Sequence, residues 1–177
     1  DKARVDSIKS GQWDIIFTGS SPDRAKHLDF SAPYAQIDTG YMVASGSSIS
    51  KISEIDRAGV RIAVQGHGAA DRLITPITKA ATIIRVPTIA DAIEMLRSGQ
   101  ADAVPANKTN LFSALDRLPG VRILDGRMGF SEQSIGVRKG AGPAITYVRK
   151  FVEEAKSQGM IKEAIEGAGV RGLSAAP

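Results

Sequence analysis

Apolar and polar positions along the chain fall into two alternating patterns. Short apolar runs occur at Asp14-Ile15-Ile16-Phe17, Arg61-Ile62-Ala63-Val64, Thr82-Ile83-Ile84-Arg85-Val86 and Asp102-Ala103-Val104. Runs of this length, bounded by Gly, Pro or charged residues, suit strands buried on both faces, and they predict parallel pairing. Between and after them the period lengthens. Ala92, Ile93 and Leu96 stand at helical spacing, as do Ile145, Val148, Phe151, Val152 and Ala155. Each set places one apolar face on a helix. Thr88 is suited to capping a helix from about Ile89 to Arg97, with Asp91 in its first turn. Pro143 opens a second helix, Gly159 breaks it, and a short helix with Ile161, Ala164 and Ile165 follows. Strand and helix alternate, which predicts an α/β fold.

An internal repeat refines this picture. Ser10-Gly11-Gln12-Trp13-Asp14-Ile15 and Ser98-Gly99-Gln100-Ala101-Asp102-Ala103 share one pattern 88 positions apart. In both copies a glycine stands where a helix would stop in the left-handed conformation, and an apolar run follows. Two lobes of similar plan account for it. Two extended stretches, Gly40-Tyr41-Met42-Val43-Ala44 and Ser134-Ile135-Gly136-Val137-Arg138, are candidate crossovers. Residues 44–134 would then be an inserted lobe two, with lobe one assembled from 1–43 and 135–177. The tail from Gly172 is expected to fray.

Composition and charge remove several classes. The 177 residues contain no cysteine, so disulfides, thiol nucleophiles and Cys-ligated metals are excluded. No apolar run approaches the roughly 18–20 residues of a membrane span. The net charge of +4 comes from Lys and Arg interleaved with Asp and Glu, and Trp13 is the only tryptophan. A basic nucleic-acid face is not built this way. Two histidines without a second ligand at standard spacing give no metal site, and no cofactor motif survives inspection. Gly167-Ala168-Gly169-Val170-Arg171-Gly172 satisfies G-x-G-x-x-G, yet it follows a helix and lacks a βαβ unit, so it reads as a helix stop. No nucleophile–base motif marks an enzyme.

Three loops carry suitable binding chemistry, each beyond the carboxyl end of a strand. In Thr18-Gly19-Ser20-Ser21-Pro22-Asp23-Arg24, Ser21 is a natural N-cap, Gly19 admits close approach, and Arg24 offers a planar fork for a carboxylate. The alternative is an Arg24 paired with Asp23 or Asp29. In Gln65-Gly66-His67-Gly68-Ala69-Ala70-Asp71, a glycine-rich turn presents backbone N–H groups, or is a tight turn with nothing bound. In Pro105-Ala106-Asn107-Lys108-Thr109-Asn110, Asn107 or Asn110 contacts a ligand or caps the next helix.

The run Arg24-Ala25-Lys26-His27-Leu28-Asp29-Phe30-Ser31-Ala32-Pro33-Tyr34 resembles the family 3 extracellular solute-binding proteins of the polar amino-acid type. The likeness continues through Val64-Gln65-Gly66-His67-Gly68, Gly99-Gln100-Ala101-Asp102-Ala103-Val104 and Ile135-Gly136-Val137-Arg138-Lys139-Gly140. It implies a type II periplasmic-binding-protein fold, two α/β lobes on two hinge strands. It also implies a periplasmic receptor, or a lipid-anchored extracellular one, that hands its ligand to an ABC-importer permease. Arg24 would clamp the ligand carboxylate, Phe17 and Gly19 would offer backbone groups, and Gln65, His67 and Gly68 would close from lobe two. A sensor domain of a membrane receptor and a dehydratase on the same fold are the alternatives.

Two departures from the family pattern stand out. Asn107 occupies the place where the resemblance leads one to expect an Asp that holds a ligand ammonium, and Gly19 replaces a hydroxyl residue. The ligand is then a carboxylate without a free α-amino group, or an amino acid held differently. Family members also begin with a further segment of lobe one. Lobe one is expected to be incomplete at its amino end, with a signal peptide removed and an exposed edge that a partner or self-association would cover.

Overall fold

The computed structural model describes Ser7 and residues 13–177. Gly11 and, Ser7 apart, the helix expected before it lie outside the described residues. The chain forms two compact units. Unit 1 comprises 1–36 and 132–177, and unit 2 comprises 37–131. The chain passes between them inside two ten-residue strands, β3 (Ala35–Ala44) and β8 (Gly129–Arg138).

Unit 2 is built around two-sided strands. β4 (Arg61–Gln65) pairs in parallel with β5 (Thr82–Val86), Arg61 opposite Thr82 and Gln65 opposite Val86. β6 (Val104–Asn107) and β7 (Val121–Ile123) both run antiparallel to β3, with Thr39 opposite Asn107 and Met42 opposite Ile123. Side chains alternate along a strand, and here both faces find an apolar partner. Tyr41, Val43, Ile62 and Val64 enter one core with Ile74 and Leu124. Met42, Ala63 and Val104 enter the other with Ala92, Leu96 and Leu111.

The helices follow local rules. Helix α1 (Pro22–Ala25) is a single turn in unit 1, and α2 (Ala69–Ile74), α3 (Ile89–Arg97) and α4 (Lys108–Leu115) belong to unit 2. Thr88 caps α3 through a reciprocal pair: its hydroxyl accepts from the Asp91 N–H at 3.1 Å, and the Asp91 carboxylate accepts from the Thr88 N–H at 3.0 Å. Gly99 ends the helix at φ 73°, which only glycine adopts without strain.

In unit 1, β1 (Ile15–Gly19) and β2 (Leu28–Phe30) pair antiparallel with β8. Helix α5 (Pro143–Ser157) buries Ile145, Val148, Val152 and Ala155 along one face, and three of these pack with Ile135 and Val137 of β8. Helix α6 (Met160–Ala168) follows Gly159, which stands at φ 75°.

Three expectations are corrected. The run at Asp14–Phe17 is neither parallel nor buried: β1 is antiparallel, and Ile15 and Phe17 are exposed. The run at Asp102–Val104 makes only a parallel bridge from Ala103 to Ile62, and its strand pairs antiparallel with β3. The tail does not fray, because Leu173–Ala175 forms β9, Ala176 is buried, and its N–H donates to the Tyr34 carbonyl at 3.0 Å. A backbone donor satisfied this way has no reason to detach.

Candidate functional site

In unit 1 the chemistry gathers at the turn between β1 and α1. Ser21 is extended (φ −152°), Pro22 opens the helix, and the Ser21 hydroxyl accepts from the Arg24 N–H at 3.3 Å. This cap brings the Arg24 side chain back over the end of β1. Its Nη1 donates to Thr18 Oγ1 at 2.9 Å and to the Gly19 carbonyl at 2.7 Å. Of the carboxylates named from sequence, Asp23 pairs with Lys26, and Asp29 accepts from the Gly140 N–H. Burial pulls the Arg24 pKa below the ordinary guanidinium value, yet arginine stays cationic at neutral pH.

Gly19 leaves open the space beside this cation. A Cβ there would stand 3.6 Å from Arg24 Nη1. The Phe17 ring is 62% exposed and meets Tyr34 edge-on, with centroids 5.9 Å apart. A half-buried guanidinium beside a glycine suits a small carboxylate.

In unit 2 the turn between β4 and α2 is held by a buried carboxylate. Asp71 is 6% exposed. It accepts from the His67 N–H at 2.9 Å, the Thr75 hydroxyl at 2.9 Å and Arg85 Nε at 3.0 Å. Burial pushes its pKa up, but the bonds from His67, Arg85 and Thr75 outweigh burial and leave it below the ordinary carboxylate value. The His67 carbonyl accepts from Arg72 Nη1 at 2.7 Å. His67 is thereby pinned on both sides in the left-handed conformation (φ 60°), which is uncommon for a residue with a Cβ.

This turn sends its side chains in two directions. Gln65 and Gly68 line a small concavity of about 70 Å³ with Ile89, Pro105, Asn107 and Asn110. His67 instead borders a wider hollow of about 500 Å³ with Asp71, Arg72, Thr75 and Arg85. Of the four unit 2 residues read from sequence, the structure therefore groups Gln65, Gly68 and Asn107, and separates His67. Asn107 occupies the N-cap position of α4, yet its side chain makes no capping bond. It faces Thr39, whose hydroxyl approaches Asn107 Oδ1 at 3.4 Å.

Sequence reasoning missed the anchoring role of Asp71 and Arg85, which stand 14 positions apart on different elements. Three donors meeting on one buried carboxylate cannot be read from spacing. Thr18 was passed over because its partner, Arg24, reaches back across a cap. Among the described residues, no group of three or more His, Cys, Asp or Glu could hold a metal ion. No helix among them is long and apolar enough to cross a membrane.

Comparison with known proteins agrees with this architecture. Residues 2–167 match the bacterial extracellular solute-binding proteins, family 3. The chain is 23% identical over 164 residues to the ABC transporter glutamine-binding protein of Bacillus subtilis, covering 92% of this chain and 60% of that protein. It is 23% identical over 138 residues to the glutamine-binding protein of Geobacillus stearothermophilus, covering 77% of this chain and 52% of that one. The chain thus spans only part of the length of these curated relatives. Among solved structures, the solute receptor for L-cysteine of Neisseria gonorrhoeae superposes with a TM-score of 0.74 at 21% identity, covering 98% of this chain and 74% of that one. A likeness of this kind establishes the type II periplasmic-binding-protein fold. The chain belongs to the bacterial extracellular solute-binding proteins of family 3.

Proposed function

We propose that the protein is the solute-binding component of an ABC importer, working outside the cytoplasmic membrane and capturing a small carboxylate-bearing solute. The observation that carries this reading is Arg24. A half-buried guanidinium, aimed by a helix cap over the end of β1 and bordered by a glycine, is built to receive a planar anion. In unit 2, Gln65, Gly68 and Asn107 line a concavity whose polar groups suit a small solute. A ligand that binds one conformation of the protein better than another favours that form, and a membrane permease would read it. We infer binding without a chemical step, as the match to a family of solute-binding proteins supports. The exposed Ile15–Phe17 edge is where a further strand, from this protein or a second copy, would pair.

The test is a thermal-shift screen of the whole protein against small carboxylates, repeated with Arg24→Ala. A ligand bound only to the folded state raises the melting temperature. Arg24→Ala is expected to weaken binding by about 100-fold, the loss of a charge-assisted pair, with the fold retained by circular dichroism. Unchanged affinity in that variant would refute the carboxylate assignment.

A further inference from the structure

Resting on that carboxylate reading, we propose a substrate class: organic acids that carry no ammonium group beside the carboxylate. Hydroxy acids, oxo acids and dicarboxylates are the members.

In unit 2 the small concavity is lined by three carboxamides, Gln65, Asn107 and Asn110, and by no carboxylate. The carboxylates nearest in sequence are engaged elsewhere. Asp71 faces the wider hollow and is filled by His67, Thr75 and Arg85. Asp102 takes three bonds from Arg61, and Asp91 is consumed by the Thr88 cap. The charged residue next to Asn107 is a cation, Lys108, whose alkyl chain lies across Gly40; a Cβ on Gly40 would come within 2.9 Å of Lys108 Cε.

Asn107 itself is set as a donor. The Thr39 hydroxyl is directed at its Oδ1, weakly at 3.4 Å, which leaves the NH2 group for a ligand. A donor of this kind suits a hydroxyl, carbonyl or carboxylate oxygen and clashes in polarity with an ammonium. Unit 1 offers an amine little more. Position 19 has no side chain, and Thr18 Oγ1 and the Gly19 carbonyl already accept from Arg24. A neutral amide can accept from an ammonium but leaves its charge uncompensated when water is excluded. The names of the relatives above carry glutamine and L-cysteine, so on this reading the present chain has diverged from them in substrate.

The experiment is isothermal titration calorimetry of the whole protein with matched pairs that differ only at the α position: 2-hydroxyglutarate against glutamate, lactate against alanine, phenyllactate against phenylalanine. In at least one pair the hydroxy acid is expected to bind about tenfold tighter or better, the difference between a neutral bond made and a charge left unpaired. Asn107→Asp, an equally good N-cap residue, is expected to reverse that preference. Amino acids that bind as tightly as their hydroxy partners to the unaltered protein would overturn the proposal; if Arg24→Ala then still abolished binding, the carboxylate reading would survive it. If no member of any pair binds to folded protein, the carboxylate reading falls and this inference falls with it.

Discussion

Replacing Asp71 with Asn tests whether one buried carboxylate organises the turn of unit 2. The amide keeps the shape of Asp71 but has a single acceptor oxygen, whereas the native carboxylate receives His67 N–H on one oxygen and Thr75 and Arg85 on the other. If the amide oxygen serves His67, its NH2 group faces the Thr75 hydroxyl and Arg85 Nε. Arg85 is 45% exposed, so water replaces much of what it loses. At 6% exposure the Asp71 end has no such substitute. Weakening two charge-assisted bonds and stranding one polar group amounts to about 2 kcal/mol. For a protein of this size that is a fall in melting temperature of about 4–8 °C, read by circular dichroism.

The pH dependence supplies a second arm. The folded pKa of Asp71 lies below 3.8, its ordinary value, so its contribution is complete above that value. It is lost as pH falls from 3.8 through the folded pKa. The stability gap between the native protein and Asp71→Asn should therefore be full at pH 7 and close in strong acid. A variant that melts within 1 °C of the native protein at pH 7 (about a quarter of the smallest expected shift) would refute the reasoning.

Other outcomes follow from packing and capping. Gly136→Val should destabilise unit 1 by about 2 kcal/mol through overpacking, because a Cβ at 136 already comes within 3.1 Å of Leu28 and Phe30 and 3.2 Å of Ile16; chemical denaturation would measure it. Thr88→Ala should cost about 1 kcal/mol by removing the reciprocal cap, again read by denaturation. Burial first, and Asp56 second, push Tyr41 up from 10.0 to about 12. An absorbance titration should therefore show a phenol that ionises only near pH 12, and the protein should lose stability as pH rises past 10.

The alternation of short apolar runs and helical faces was legible because it is local. Thr88 and Asp91, Ser21 and Pro22, and the glycines at 99 and 159 each act within one turn of chain, and the structure places them at the ends expected. Strand direction was not legible, since Ile15–Phe17 takes its partner from residues 135–137, more than a hundred positions away. Apolar content alone could not say that this run lies exposed. The tail was misread for the same reason: its hydrogen-bond partner is Tyr34. In the candidate site, the residue types at Arg24, Gln65 and Asn107 could be chosen by eye, but not the grouping. His67 parts from Gln65 and Gly68 because its φ of 60° turns the side chain to the opposite hollow, and what holds that φ is a carboxylate four positions on.

The discontinuity of unit 1 has a consequence for biosynthesis. Unit 2 is one uninterrupted stretch, whereas β1 and β2 must wait for β8, their only partner strand among the described residues. About 100 residues separate Phe30 from Gly129, on the order of 5–20 s of translation at the usual rate. Throughout that interval the nascent Ile15–Phe30 segment lacks its partner strand, while the strands of unit 2 emerge one after another and are complete by Ile123. The order of assembly is thus written into the connectivity: the inner unit first, then the outer one, sealed only when Ile135 and Val137 arrive to meet Phe17 and Ile15.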